Sequence, residues 1–253
     1  MDWFTRSDAD NFALNVSFLT QYVVPLTVSP EATLVFSHVP KTAGTSFESY
    51  LASQFKMSEV LHVNAPDLNQ LPDVIGMKKY LPRLICGHHP MHGLLYQLLP
   101  ERPLHHITVL RDPIDRVLSF YNYVIGKVDH PMHKSAVTLG FADFLAQAPS
   151  PELHNGQSRR FAGQLHQTSL SDHELLETAT GVLKGCFSQV FTTCHLDHAV
   201  DTLHNTLGFS QTALPQTNRS NKRIKRGDLS QQQLQAIEEH NQTDWALFKI
   251  FIS

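Results

Sequence analysis

VFSHVPKTAGTSFESYL, residues 35–51, is the stretch whose reading decides the fold. An apolar run beginning at residue 33 ends at Pro40, and a helical pattern starts near Thr45. Between them lie a lysine, a glycine and three hydroxyls. A tight strand-to-helix turn presents backbone N–H groups and the positive end of a helix dipole, which together attract an anion. Gly44 lets the backbone approach that anion closely, and Thr42, Thr45 and Ser46 carry hydroxyl donors. Lys41 adds a mobile positive charge. The pattern is not GxxxxGK[ST], because the lysine precedes the glycine, and no place for a Mg²⁺ ion is evident. The plainer reading of the same residues is a polar connection into a well-capped helix.

Working outward, strands and helices alternate. HITVL, residues 106–110, reads as a strand and is followed by a helix from Pro113 to about residue 125. Proline suits the first helical position, and Asp112 sits where an N-cap belongs. Residues 84–86 form a short strand entering Gly87-His88-His89-Pro90. A short helix over 141–146, a strand over 190–193 and a helix over 196–207 follow. Ser230 with Gln233 opens a last helix through Phe248, by the capping-box pattern. This order predicts an α/β fold, three-layered and P-loop-like, with a mainly parallel central sheet flanked by helices. Ligands of such sheets bind at the carboxyl ends of the strands, where three of these motifs fall. The expected organisation is one domain over 1–253, with 1–30 as an N-terminal helical extension.

The 253 residues are 42% hydrophobic and 17% charged, with a formal net charge of -3. That suffices for one sizeable core and gives no global basic field for nucleic acid. Basic residues cluster at Arg159-Arg160 and over 219–226. The latter segment is either a clamp for an anionic ligand or a solvated loop. Three cysteines do not make a disulfide framework and fit a reducing compartment. Cys194, His195 and His198 lack CxxC or HExxH spacing, so no metal is expected. The first apolar runs are short and interrupted, which predicts neither a signal peptide nor a membrane span, and a cytoplasmic protein. The sequence does not disclose an oligomeric state.

Arg111 and Ser119 lie eight residues apart, one at a strand tip and one two turns into the next helix. Both can reach one phosphate if that helix packs back beside its strand; the alternative is a local Arg111–Asp112 pair and a surface serine. P-K-T-A-G-T-S followed by R-D-P-x-x-R-x-x-S-x-Y resembles the paired signature of sulfotransferases that use 3′-phosphoadenosine 5′-phosphosulfate (PAPS). The similarity is to the branch containing heparan sulfate 2-O- and 6-O-sulfotransferases and their bacterial relatives. It implies that Lys41, Thr42, Ala43, Gly44, Thr45 and Ser46 hold the 5′-phosphosulfate, and that Arg111 and Ser119 hold the 3′-phosphate. PAPS would be the co-substrate and the bisphosphate PAP the product, with no metal. NGQSR at 155–159, FAG at 161–163, the stretch 187–203 and the C-terminal helix also resemble family segments. Members often carry Thr-Glu where this chain has Thr193-Cys194. The likeness spans about residues 34–251.

Sulfuryl transfer to a hydroxyl needs a base for the acceptor proton and a cation for charge on the leaving oxygen. Lys41 suits the cation. The resemblance places the base at His88, with His89, His92 and Glu48 as alternatives. The implied acceptor is a hydroxyl compound, for which the branch resemblance favours a saccharide, with residues 126–157 as the expected acceptor side. Two other readings stay open: a P-loop-type nucleotide kinase or phosphotransferase, and a PAPS-binding protein without turnover.

Overall fold

The computed structural model describes residues 31–63, 81–88, 95, 99, 102–148, 150–165, 169–211, 213–215 and 224–252. The expected N-terminal extension, His89, His92 and the first part of the basic segment lie outside them.

Five parallel strands form one sheet in the order β2-β3-β1-β4-β5. They are β1 (Thr33–Ser37), β2 (Val60–His62), β3 (Leu84–Gly87), β4 (Leu104–Leu110) and β5 (Gln189–Thr192). Because β1, β3 and β4 are fully buried, they show no alternation of apolar with exposed residues, and even Thr33, His105, His106 and Thr108 within them are buried. Successive side chains of β1 go to opposite faces. Val35 joins Ile85 in a core completed by α5 (Asp172–Cys186) and α8 (Gln242–Phe251), through Leu175, Val182, Leu247 and Phe248. Leu34 and Phe36 join Leu84, Ile107 and Val109 on the other face. There they meet Phe47 and Leu51 of α1 (Gly44–Ser53) and Leu203 of α6 (Leu196–Leu207). Helices thus cover both faces of a parallel sheet, as the alternating pattern predicts.

A third apolar cluster lies among α2 (Pro113–Gly126), α3 (His133–Gln147) and α7 (Gln231–His240). Tyr121 of α2 sits edge-on to Phe141 of α3 with ring centroids 5.0 Å apart. The short helix α4 (Gly156–Phe161) packs between the sheet side and α8.

Two expectations are revised. The last helix is two helices, broken at Asn241 (φ -131°, ψ 31°), because its buried amide donates to the carbonyls of Leu153 and Ile237. The expected helix at 141–146 is present as the second part of α3, and across a non-helical Gly140 (φ 72°) it is preceded by a helical segment from His133 that was not expected. Glycine alone adopts that conformation at little cost, so the break falls there.

Candidate functional site

The carboxyl ends of β1, β3 and β4 lie side by side, and each delivers one of the residues singled out in the sequence. From β1 the chain enters the turn that leads to α1. Lys41 and Ala43 have positive φ, 70° and 59°, with Thr42 between them. Alternating backbone handedness of this kind turns successive N–H groups toward one concavity, an anion nest. Ala43 is the N-cap of α1 and makes no side-chain capping hydrogen bond, so the positive end of the helix dipole opens onto this turn. Thr42 is fully buried, and its hydroxyl donates to the carbonyl of Val39 at 2.9 Å. It therefore locks the turn from inside, and its hydroxyl proton is engaged there rather than directed at an anion.

Gly44 is fixed by its neighbour. A Cβ there would lie 1.9 Å from the ring of His38. His38 is buried, stacks on Phe36 with centroids 5.6 Å apart, and donates from Nδ1 to Glu48 at 2.9 Å. The turn, the first helix and this imidazole are therefore built as one unit.

Arg111 follows β4. Its guanidinium donates to the carbonyl of Lys41 at 3.0 Å, joining the two motifs. Gln157 fixes the backbone of Arg111 from both sides: its Oε1 accepts from the Arg111 N–H and its Nε2 donates to the Arg111 carbonyl, each at 2.9 Å. Asp112 caps α2 through the N–H of Asp115 and pairs with Arg226 at 3.1 Å. Asn122 of α2 exchanges two 2.9 Å hydrogen bonds with the backbone of Ile224. The end of the basic segment thus runs along the helix that carries Ser119, which is half-buried. The ammonium of Lys41 lies 4.0 Å from the centre of the Tyr123 ring, also on α2. Such a cation–π contact holds the charge at the mouth of the turn.

His88 follows β3. Gly87 precedes it with φ 134°, and a Cβ there would lie 2.1 Å from the Val63 carbonyl oxygen, so only glycine fits. His88 Nδ1 lies 3.0 Å from the carbonyl oxygen of His38, and the two rings stand 4.0 Å apart. A carbonyl can only accept, so the proton is on Nδ1 and the lone pair of the neutral ring is on Nε2. Lost solvation around the ring, and next the proximity of His38, hold His88 below the ordinary imidazole value; the carbonyl bond opposes them. The ring is therefore neutral near pH 7.

Glu48, the alternative base, is engaged otherwise. Its carboxylate accepts from Nδ1 of His38 at 2.9 Å and from Nδ1 of His62 at 2.8 Å. Burial alone would raise its pKa, but His38 and then His62 outweigh that and hold it at about 2. A carboxyl so acidic is a poor proton acceptor at neutral pH. A groove of about 410 Å³ opens here, lined by His38, Glu48, Ser49, His62 and His88 among others. Thr45, Glu48, Ser49 and Ala52 give it one face of α1, by their spacing of three and four residues. None of its lining residues comes from 126–157, where the acceptor side was expected.

The sequence reading missed His38 and His62. The signal available was weak: a histidine directly after an apolar strand, ten residues before an acid on the next helix. It also took residues 155–159 as a minor likeness, whereas Gln157 holds the Arg111 backbone.

A curated relative, heparan sulfate 2-O-sulfotransferase 1 of Gallus gallus, is 27% identical over 113 residues, 40% of this chain. The match spans 32% of that relative's length. The crystal structure of mouse sulfotransferase SULT7A1 complexed with PAP is similar with a TM-score of 0.46 at 11% identity, covering 94% of this chain and 71% of that one. The model of the sulfotransferase family matches residues 24–251, a span that takes in the first turn, the Arg111 strand end and both C-terminal helices. By that match over most of its length, the chain belongs to the sulfotransferase family.

Proposed function

We propose that this chain, acting as one domain over 1–253, transfers the sulfuryl group of PAPS to an acceptor hydroxyl, releasing PAP. The observation that carries the reading is a single contact: the Arg111 guanidinium on the Lys41 carbonyl, which makes one site of the two anion-binding motifs. The residues fit a donor with phosphates at both ends. The turn from Lys41 to Ser46 supplies a nest at an uncapped helix end for the 5′-phosphosulfate. Arg111 and Ser119, with the segment ending at Arg226 beside them, suit the 3′-phosphate.

The bound donor supplies the sulfuryl group. The chain's own residues supply the rest. His88 accepts the proton of the acceptor hydroxyl at Nε2, with its ring fixed by the His38 carbonyl. Lys41 leaves the Tyr123 face to meet negative charge on the leaving phosphate side. Glu48 holds His38, and so the backbone that His88 leans on. The groove beside His88 receives the acceptor. The name of the Gallus gallus relative supports a saccharide acceptor. The free thiols of Cys86, Cys186 and Cys194 support a reducing, cytoplasmic setting. Among the described residues no helix is long and apolar enough to cross a membrane.

Calorimetric titration with PAP tests the reading, with Mg-ATP in a parallel run. We expect one PAP per chain without Mg²⁺. Arg111→Ala removes charge-assisted bonds of about 1.5–3 kcal/mol and should weaken PAP binding by about 10- to 100-fold. His88→Ala should bind PAP normally while turnover with a sugar acceptor falls by about 100- to 10,000-fold. Binding of Mg-ATP but not PAP would move the chain to the phosphotransferases. PAP binding with turnover intact in His88→Ala would refute the base.

A further inference from the structure

Beneath the groove, three side chains from three elements converge on one point. Glu48 comes from α1, His62 from the end of β2 and Cys86 from β3. Their ligand atoms, a carboxylate oxygen, an imidazole nitrogen and a thiol sulfur, all lie within 4.8 Å of one another. Nδ1 of His62 faces both others, 2.8 Å from Glu48 Oε1 and 3.4 Å from Cys86 Sγ. Cys86 is fully buried, and the transfer chemistry gives its thiol no part.

We propose that Glu48, His62 and Cys86 form a binding site for a thiophilic divalent cation of the zinc class, beside the base but separate from the donor site. Mixed O, N and S donors are the set such a cation takes. Tetrahedral bonds of about 2.0–2.3 Å place neighbouring donors about 3.3–3.6 Å apart. The sulfur–nitrogen separation already has that value. The oxygen–nitrogen pair must open by about half an ångström, a side-chain rotation for His62, which is 57% exposed. Glu48 Oε2 stays on His38 Nδ1, so the ligating carboxylate is oriented by an outer-shell hydrogen bond. Glu48 and His62 line the groove and Cys86 lies under it, which leaves the fourth position facing the groove for water. On binding, the thiol proton leaves to solvent. The His62 proton moves from Nδ1 to Nε2, so the imidazole ligates as the neutral ring. The site does not rest on the sulfotransfer reading.

Cobalt(II) is the probe, because it takes zinc sites and reports sulfur ligation by a thiolate-to-metal charge-transfer band. Chelator-treated full-length protein is titrated with Co²⁺ under reducing conditions, and then with Zn²⁺. We expect a saturable band at one Co²⁺ per chain, bleached by Zn²⁺. Cys86→Ser should abolish the band. His62→Ala, at an exposed position that leaves the core untouched, should weaken binding by more than the roughly 10- to 100-fold that loss of an outer-shell partner costs. Cys194→Ser should change nothing. No band from folded wild-type protein would overturn the proposal. So would a band that titrates with unchanged affinity in His62→Ala or disappears in Cys194→Ser.

Discussion

Positions 41, 43 and 44 combine requirements that conflict for ordinary residues. Lys41 and Ala43 hold left-handed backbone without being glycine, a conformation that costs of order 1–3 kcal/mol each and persists where function over-determines it. Gly44 does the opposite: its backbone is helical, and what it must lack is the Cβ, because the His38 ring occupies that place. Gly44→Ala should therefore cost about 1–3 kcal/mol by overpacking, read as a lower midpoint in urea. His38 is held by Phe36 and Glu48, so the strain cannot vanish by a free rotation. The double variant His38→Ala/Gly44→Ala separates causes. If the ring is the obstacle, the glycine substitution should add little once the ring is gone. A full additional loss would show that backbone conformation, not the ring, requires glycine there.

At the scale of elements, α4 and α8 cap each other. The first-turn donors of α4, the N–H groups of Gln157 and Ser158, go to the Asp244 carboxylate of α8 at 3.1 and 2.7 Å. The first-turn donors of α8, those of Thr243 and Asp244, go to Asn155 Oδ1 at the N-cap of α4, each at 3.1 Å. Asn155 adopts φ 52°, which asparagine tolerates better than most residues. Asp244 is fully buried, takes the Ser158 hydroxyl as well, and lies 3.9 Å from the buried Arg116 guanidinium. Asp244→Ala should accordingly cost about 3–5 kcal/mol, as removal of one partner from a buried charge network does. Asn155→Ala should cost about 1–3 kcal/mol for its unsatisfied donors. Since both changes loosen the same helix pair, their sum should exceed the loss in the double variant by about 0.5–3 kcal/mol, measured as a cycle in urea. Gln157 belongs to this clamp and holds Arg111, so Asp244→Ala should also weaken PAP binding although it touches no ligand. Unchanged PAP affinity in a folded Asp244→Ala protein would disconnect the clamp from the site.

The whole molecule shows which of these features a sequence can display. The parallel sheet was legible because burial on both faces writes short apolar cores, LVF in β1, LIC in β3 and ITVL in β4, each followed by a turn and, after β1 and β4, by a helical pattern. The place of Lys41, Arg111 and His88 beyond strand ends was legible because Arg111 and His88 directly follow such a strand and Lys41 stands four residues past one. β2 was not, being three residues long and half-exposed; α5, which no sequence expectation covered, was legible from the Ser171–Glu174 capping box and from Leu175, Ala179, Val182, Leu183 and Cys186 at helical spacing. The partners of His38 and of Asn155 were also invisible, since a hydrogen bond between residues ten or nearly ninety apart leaves no periodicity. The same non-local chemistry governs response to acid. Glu152 pairs with Arg116 at 2.9 Å and with Arg160, tying residues 151–153 to α2 and α4. Burial would raise its pKa, but Arg160 and then Arg116 outweigh burial and hold it below the ordinary glutamate value. With the folded pKa lower than the unfolded one, the unfolded chain binds the proton first. The contribution of Glu152 is thus complete above about pH 5 and is lost as pH falls through the folded value. Urea unfolding at a series of pH values should show stability declining on acidification below about pH 5. Glu152→Gln should be less stable than wild type by about 1.5–3 kcal/mol near neutral pH, because buried Arg116 loses its carboxylate at 2.9 Å and keeps only Asp244 at 3.9 Å. Its decline below about pH 5 should be shallower, so that the two proteins converge in acid. Parallel curves for the two proteins would mean that other carboxylates, and not Glu152, set the acid limit of the fold.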